Sequence, residues 1–220
     1  KMTRAEYNAQ MLETIKNQLK NFPLDQSQSG PQESGATAAV LLLLHGDPAD
    51  PQIVLTQRAM HLNNHAGEVA FPGGMWDATD QNLLHTALRE THEEIGLPPH
   101  LVEPIAMLPV ASPKRRNLRV TPFVGLAHGP LELQAEPSEI AAIFDAPIST
   151  FTDISQYQYF EIKNAAGALS FPFLSYKGHK IWGFTLKVLV DMLNATLNAG
   201  VDLKYPSDAR IEELRKRGKK

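Results

Sequence analysis

Apolar residues at Leu12, Ile15, Leu19 and Phe22 recur at helical spacing and predict an amphipathic helix at the start of the chain. From Asp25 to Gly35 the run of Gln, Ser, Gly and Pro carries no period and reads as a linker. The core begins near Ala36. Ala38 to His45 is an apolar run suited to a buried strand, Gly46 to Pro51 is turn chemistry, and Ile53 to Thr56 reads as the hairpin return. Glu68 to Phe71 predicts another short strand, stopped by Pro72-Gly73-Gly74. Between Leu83 and Ile95 the stripe Leu84, Ala87, Leu88, Thr91 and Ile95 predicts a helix, closed by Gly96 and Pro98. Further strands are expected at Ile105 to Pro109, Val120 to Leu126, Ile140 to Phe144, Tyr157 to Ile162, Leu169 to Phe173 and Lys180 to Trp182, with a last helix from Phe184 to about Leu197. No internal repeat is present. Strands mixed with few helices predict an α+β or α/β layered domain over 36–200, preceded by the helix and linker of 1–35 and followed by a basic tail over 201–220.

The composition narrows the partners. Lys plus Arg number 21 against 24 Asp plus Glu, so the net charge of −3 argues for neither nucleic acid nor an anionic membrane, and any phosphate-binding charge has to be local. The absence of cysteine removes disulfides, thiolate catalysis and Cys-based zinc sites, and leaves oxygen or imidazole as the ligands for any metal. The apolar run Ala38 to Leu44 is far shorter than the ~20 residues of a membrane-spanning helix. With no signal-peptide layout, Glu6 and Glu13 beside a single Arg4 at the front, and no Ser-Lys-Leu terminus, a cytoplasmic location is expected. The six basic and two acidic residues of Arg210 to Lys220 read as a solvated tail.

Chemistry concentrates on the central helix. In Arg89-Glu90-Thr91-His92-Glu93-Glu94 three carboxylates fall at i, i+3 and i+4, neighbours on one face, where like charges repel. Either a hard divalent cation, Mg²⁺ or Mn²⁺, neutralises them, or the face is solvated and softened by Arg89 and its i+4 partner Glu93. Upstream, Gly73-Gly74 allows a close backbone approach to a ligand or a carbonyl for a metal. Lys114, Arg115, Arg116 and Arg119 form a run of cations between two predicted strands, equally a solvated loop or a phosphate patch. His61 and His65 have the i, i+4 spacing of metal ligands but sit in a predicted loop with no third ligand adjoining. Trp182 and Phe184 read as core. No Gly-x-Ser-x-Gly elbow, Gly-x-Gly-x-x-Gly or P-loop occurs.

Turn, loop and acid triple together resemble the box of the Nudix hydrolases: Gly, five residues, Glu, seven residues, Arg-Glu, an apolar residue, any residue, Glu-Glu, any residue, Gly, apolar. Here this is Gly74 through Arg89-Glu90-Thr91-His92-Glu93-Glu94-Ile95-Gly96-Leu97. The loop is one residue longer than the pattern, Asp80 stands where the first Glu falls, and Thr91 replaces the apolar residue. The longer loop, followed by Thr86-Ala87-Leu88-Arg89-Glu90, is similar to the coenzyme A pyrophosphatase subfamily. So is the upstream stretch Val54-Leu55-Thr56-Gln57-Arg58-Ala59, Gly67 and Phe71-Pro72-Gly73-Gly74, in which Val54 and Asn63 depart from the subfamily's Leu and second Arg. The likeness runs from about Ala36 to Leu197.

The resemblance implies an α/β/α sandwich around a mixed β-sheet, and a metal-dependent pyrophosphohydrolase acting on a small-molecule diphosphate. The expected substrate is coenzyme A or acyl-CoA, cut to 4′-phosphopantetheine and 3′,5′-ADP. The alternatives are another nucleoside diphosphate derivative such as ADP-ribose, or a module that binds metal and nucleotide without turnover. Glu90 and Glu94, at i and i+4, are the expected principal ligands of Mg²⁺ or Mn²⁺ with Glu93 as a further ligand, Arg89 as the residue that orients a glutamate, and Glu139 or a glutamate of the box as the base. Arg58, Gly67, Gly73, Gly74 and the cations Lys114, Arg115, Arg116 and Arg119 are the expected substrate contacts. A homodimer is compatible with all of this.

Overall fold

The computed structural model describes residues 10–25, 36–62, 65–113, 118–164 and 167–217. Strand β1 (Ala36–His45) is apolar from Ala38 to Leu44, where residues on both its faces are buried. It pairs with β2 (Gln52–Arg58) only at Leu44↔Ile53 and His45↔Gln52, after which the two strands part. Beyond that point β1 runs parallel to β6 (Leu118–Ala127), whose other neighbour is β5 (Val102–Met107), while β2 pairs with β3 (Val69–Ala70) and β7 (Ile140–Pro147). The opening between β1 and β2 is filled by β4 (Gly73–Met75), antiparallel to Ala38, Ala39 and Val40 of β1. The result is a mixed, seven-stranded sheet.

The pleat divides the core in two. Ala39, Leu41 and Leu43 of β1 point to one side, where Leu83, Leu84, Ala87 and Ile95 of helix α2 (Leu83–Ile95) cover them. Leu42 and Leu44 point to the other, toward α1 (Met11–Leu19) and α4 (Gly183–Leu197). On that second side lies a three-stranded antiparallel sheet of β8 (Tyr157–Asn164), β9 (Gly167–Tyr176) and β10 (His179–Trp182), reached through the short helix α3 (Ile148–Thr152). This is the α/β/α sandwich around a mixed sheet that the motif resemblance implies. Among the described residues no helix is long and apolar enough to cross a membrane.

The helices that flank the domain among the described residues contribute buried side chains. On α1 the buried stripe is Met11, Ile15 and Leu19, packed into the layer of α4; Leu12 and Phe22, assigned to the stripe from the sequence, are only partly buried. Each of the three contributes about 1.5–3 kcal/mol by leaving water. The solvated C-terminal tail is corrected for its described part: Asp208–Arg217 is a helix, α5, with Ile211 and Leu214 buried, and Gly167 of β9 lies against Leu214. The linker assigned from Asp25 onward falls, after its first residue, outside the described residues.

Candidate active site

Helix α2 starts on Asn82, whose Oδ1 accepts the His85 N–H at 2.8 Å, and stops where the Gly96 N–H donates to the His92 carbonyl. Its three glutamates are not equivalent. Glu94 is on the core-facing side with 4% of its surface exposed, Glu90 is partly buried, and the Glu93 side chain is largely in solvent. Thr91, in the place the box gives to an apolar residue, is fully buried and donates its hydroxyl to the Ala87 carbonyl at 2.7 Å, so its polarity is satisfied.

The turn from β3 to β4 carries the backbone against these acids. Gly73 has φ +146° and a Cβ there would stand 2.4 Å from the Ala39 carbonyl oxygen, so only glycine fits. Its N–H donates to Glu94 Oε2 at 3.0 Å. At Gly74 a Cβ would meet the Glu90 carboxyl group at 2.4 Å. The two glycines bring the main chain close to two carboxylates of the box.

Arg89 is spent inside the site. Nε donates to Asp80 Oδ1 at 2.8 Å, Nη2 to Asp80 Oδ2 at 2.9 Å and to the Met75 carbonyl at 3.1 Å, and Nη1 to Glu90 Oε1 at 2.9 Å and Glu93 Oε2 at 3.0 Å. A guanidinium has five N–H donors, and all are used. Asp80, which sequence reasoning assigned no role although it stands at the pattern's first Glu, is the anchor. Its side chain is fully buried, and besides Arg89 it accepts from Thr86 Oγ1 at 2.8 Å and the Asp77 N–H at 3.0 Å. The Arg89 bonds hold its carboxyl well below the usual carboxylate range and raise the guanidinium above its own.

The electrostatics run the other way at the helix face. Burial pushes Glu94 up to about 7, opposed by the Gly73 N–H and by the charge of Arg58; Glu139 and Glu90 add to the rise. Burial also raises Glu90 against the pull of Arg89, with Glu93 and Glu139 again on the raising side. The Arg58 Nη1 to Glu94 Oε1 separation is 3.8 Å, an ion pair without a hydrogen bond. Glu139 is exposed at the head of β7, and its carbonyl accepts the Ala59 N–H at 2.8 Å, which ties it beside Arg58.

The remaining sequence candidates divide. Gly67 shapes the turn behind Arg58: its N–H donates to the Arg58 carbonyl at 3.1 Å and its own carbonyl accepts from Gln57 Nε2 at 3.2 Å. Arg119 is exposed on β6, in register with Thr37 of β1. Lys114, Arg115, Arg116 and Asn63 lie outside the described residues. His61 and His65 turn to different partners, the Ser138 carbonyl and the Glu68 carboxylate.

Among the described residues no three acidic or histidine side chains form a ready-made cation cage. The donor chemistry nonetheless fits a hard divalent cation: Glu90 and Glu94 are desolvated carboxylates one helical turn apart, beside the backbone of Gly73 and Gly74. A pocket of about 400 Å³ opens next to Glu90 and Glu93, walled by Met75–Thr79 of the longer loop, to whose residues the sequence reading assigned no site role.

Residues 35–165 match the NUDIX domain family. The chain is 38% identical over 152 residues to the uncharacterized Nudix hydrolase NudL of Photorhabdus laumondii subsp. laumondii, spanning 69% of this chain and 80% of that protein. Identity to the protein of the same name from Salmonella paratyphi B is 36% over 155 residues, 70% of this chain and 80% of the other. Among solved structures, a MutT/nudix family protein from Enterococcus faecalis shares 15% identity at a TM-score of 0.48, over 90% of this chain and 76% of that one.

Proposed function

Because the chain belongs to the Nudix hydrolase family, a family of hydrolases acting on diphosphate bonds, we propose that it cleaves coenzyme A or an acyl-coenzyme A to the phosphopantetheine and 3′,5′-ADP. The observation that supports this substrate is a convergence. Arg58, in the stretch that resembles the coenzyme A branch, and Glu94 of the acid box, 36 residues further along the sequence, meet at a contact of 3.8 Å.

Glu90, Glu94 and Glu93 would hold Mg²⁺ or Mn²⁺, which when bound neutralises the diphosphate's nonbridging oxygens. Arg89 cannot touch substrate, since its donors are filled; it fixes where Glu90 and Glu93 stand. Arg58 keeps N–H groups for a phosphate oxygen. Glu139, exposed beside Arg58, takes the proton of the attacking water as its oxygen joins one phosphorus and the bridging P–O bond breaks, the second phosphate leaving with the bridging oxygen. The intact acids count against a module that only binds.

A product-resolved assay of coenzyme A, acetyl-coenzyme A, dephospho-coenzyme A and ADP-ribose with Mg²⁺, Mn²⁺ or excess chelator tests the reading. Cleavage of the coenzyme A compounds to 3′,5′-ADP, abolished by chelator, is expected. Faster turnover of ADP-ribose would reassign the substrate, and full turnover in chelator would remove the metal.

A further inference from the structure

The cleft has two chemically unlike sides, and they orient the substrate. On one side is the pocket of about 400 Å³ formed by the Met75–Thr79 loop against Arg89, Glu90 and Glu93. Its one basic side chain, Arg89, offers no anion site, because every N–H of Arg89 is bonded to Asp80, Glu90, Glu93 or the Met75 carbonyl. The other charges on its wall are carboxylates. A cation held by Glu90 and Glu93 cancels those two and leaves Asp77, whose Oδ1 already accepts from the Thr79 N–H at 2.8 Å and the Thr79 hydroxyl at 2.7 Å. Among the described residues nothing bonds Oδ2 of Asp77, which remains to accept from a ligand. Met75, with 48% of its surface exposed, adds a flexible apolar wall. That cation would take the diphosphate; beyond it the wall offers no free charged donor to a further phosphate, and an uncharged chain with amide N–H groups is suited.

On the other side of Glu94 is Arg58, whose guanidinium among the described residues makes only the 3.8 Å contact and has donors to spend. We infer that the Met75–Thr79 pocket binds the electroneutral, amide-bearing pantetheine arm of the substrate, and that the 3′-phosphorylated nucleotide lies toward Arg58. This rests on coenzyme A being the substrate.

The two cleavage products separate the two halves, so calorimetric binding of 4′-phosphopantetheine and of 3′,5′-ADP to the full chain in the presence of Mg²⁺ reads the orientation. Met75→Trp, which fills the pocket from an exposed position, is expected to weaken phosphopantetheine at least tenfold and leave 3′,5′-ADP within twofold. Met75→Ala, a simple truncation, gives the same pattern at about threefold if the larger side chain is not accommodated. Arg58→Gln reverses it. Loss confined to 3′,5′-ADP in the Met75 variants, equal loss of both, or no loss of either would overturn the orientation. A wild-type protein that does not cleave coenzyme A overturns the substrate reading itself, a result seen before any variant is made.

Discussion

Asp80→Asn isolates the group on which the geometry of the acid helix depends. The substitution keeps the shape and removes the charge. In the wild type the buried carboxylate takes two bonds from Arg89, one from Thr86 and one from the Asp77 backbone. An asparagine can accept at one atom only, so in either orientation its amide N–H₂ faces a donor of Arg89, and in one of them those of Thr86 and Asp77 as well. Removing one partner of a buried ion pair costs about 3–5 kcal/mol, and the retained bonds soften this to roughly 2–4 kcal/mol, a fall in Tm of about 5–15 °C for a chain of this size. The pH dependence gives an independent check. The folded-state pKa of Asp80 is depressed, so its contribution is present above the unfolded value near 4 and is lost as pH falls toward the folded one. The gap between wild type and variant in urea unfolding is therefore full at pH 7 and narrows below pH 4. Activity falls as well, because Arg89 is then free to draw Glu90 and Glu93 away. A variant within about 0.5 kcal/mol of wild type at pH 7, or a gap constant down to pH 3, would refute the anchor.

Three further outcomes are expected. In excess chelator the protein should lose stability, on the order of 3 kcal/mol, as pH rises from about 4.5 through 7, since Glu94 is held up at about 7 and its charged form is buried; Glu94→Gln, neutral throughout, should flatten that slope in urea titrations at pH 5 and 8, and an unchanged slope would assign it to another group. Gly74→Ala places a Cβ 2.4 Å from the Glu90 carboxyl group and should lower kcat/KM roughly 10²-fold with the far-ultraviolet circular dichroism unchanged; wild-type activity would mean that the position of Glu90 is not critical. Glu139→Gln should lower kcat by roughly 10²-fold or more with little change in cation affinity, and an unchanged kcat would move the base into the box.

The elements legible in the sequence are those whose pattern comes from side chains. The apolar run of β1, the stripe of α2 and helix α4 ending at Leu197 all announce themselves, because burying one or both faces requires that period. Strand β4 does not. Gly73-Gly74 reads as a stop, and its pairing with β1 is a matter of backbone alone. Helix α5 is hidden differently: Ile211 and Leu214 are its only large apolar residues among ten, and the charges around them dominate the reading.

At the site, the acid triple and the i, i+4 pair of Arg89 and Glu93 could be read from spacing and the orienting part of Arg89 from the family resemblance, whereas the bonds of the loop that completes them could not. The extra residue between Gly74 and Arg89 and the Asp in place of Glu look like two separate departures from the family pattern. In the fold they belong to one local structure. The loop curls so that the Asp80 N–H donates to the Asp77 carbonyl at 2.9 Å while the Asp77 N–H returns a bond to Asp80 Oδ2, and that turn delivers a side chain one carbon shorter than Glu to a two-point contact with Arg89. The same turn forms the wall of the pocket with Asp77 and Thr79. Fixing the glutamates and refusing a second anion are thus consequences of one loop conformation, because the arginine that could have bound a phosphate is consumed in holding the acids.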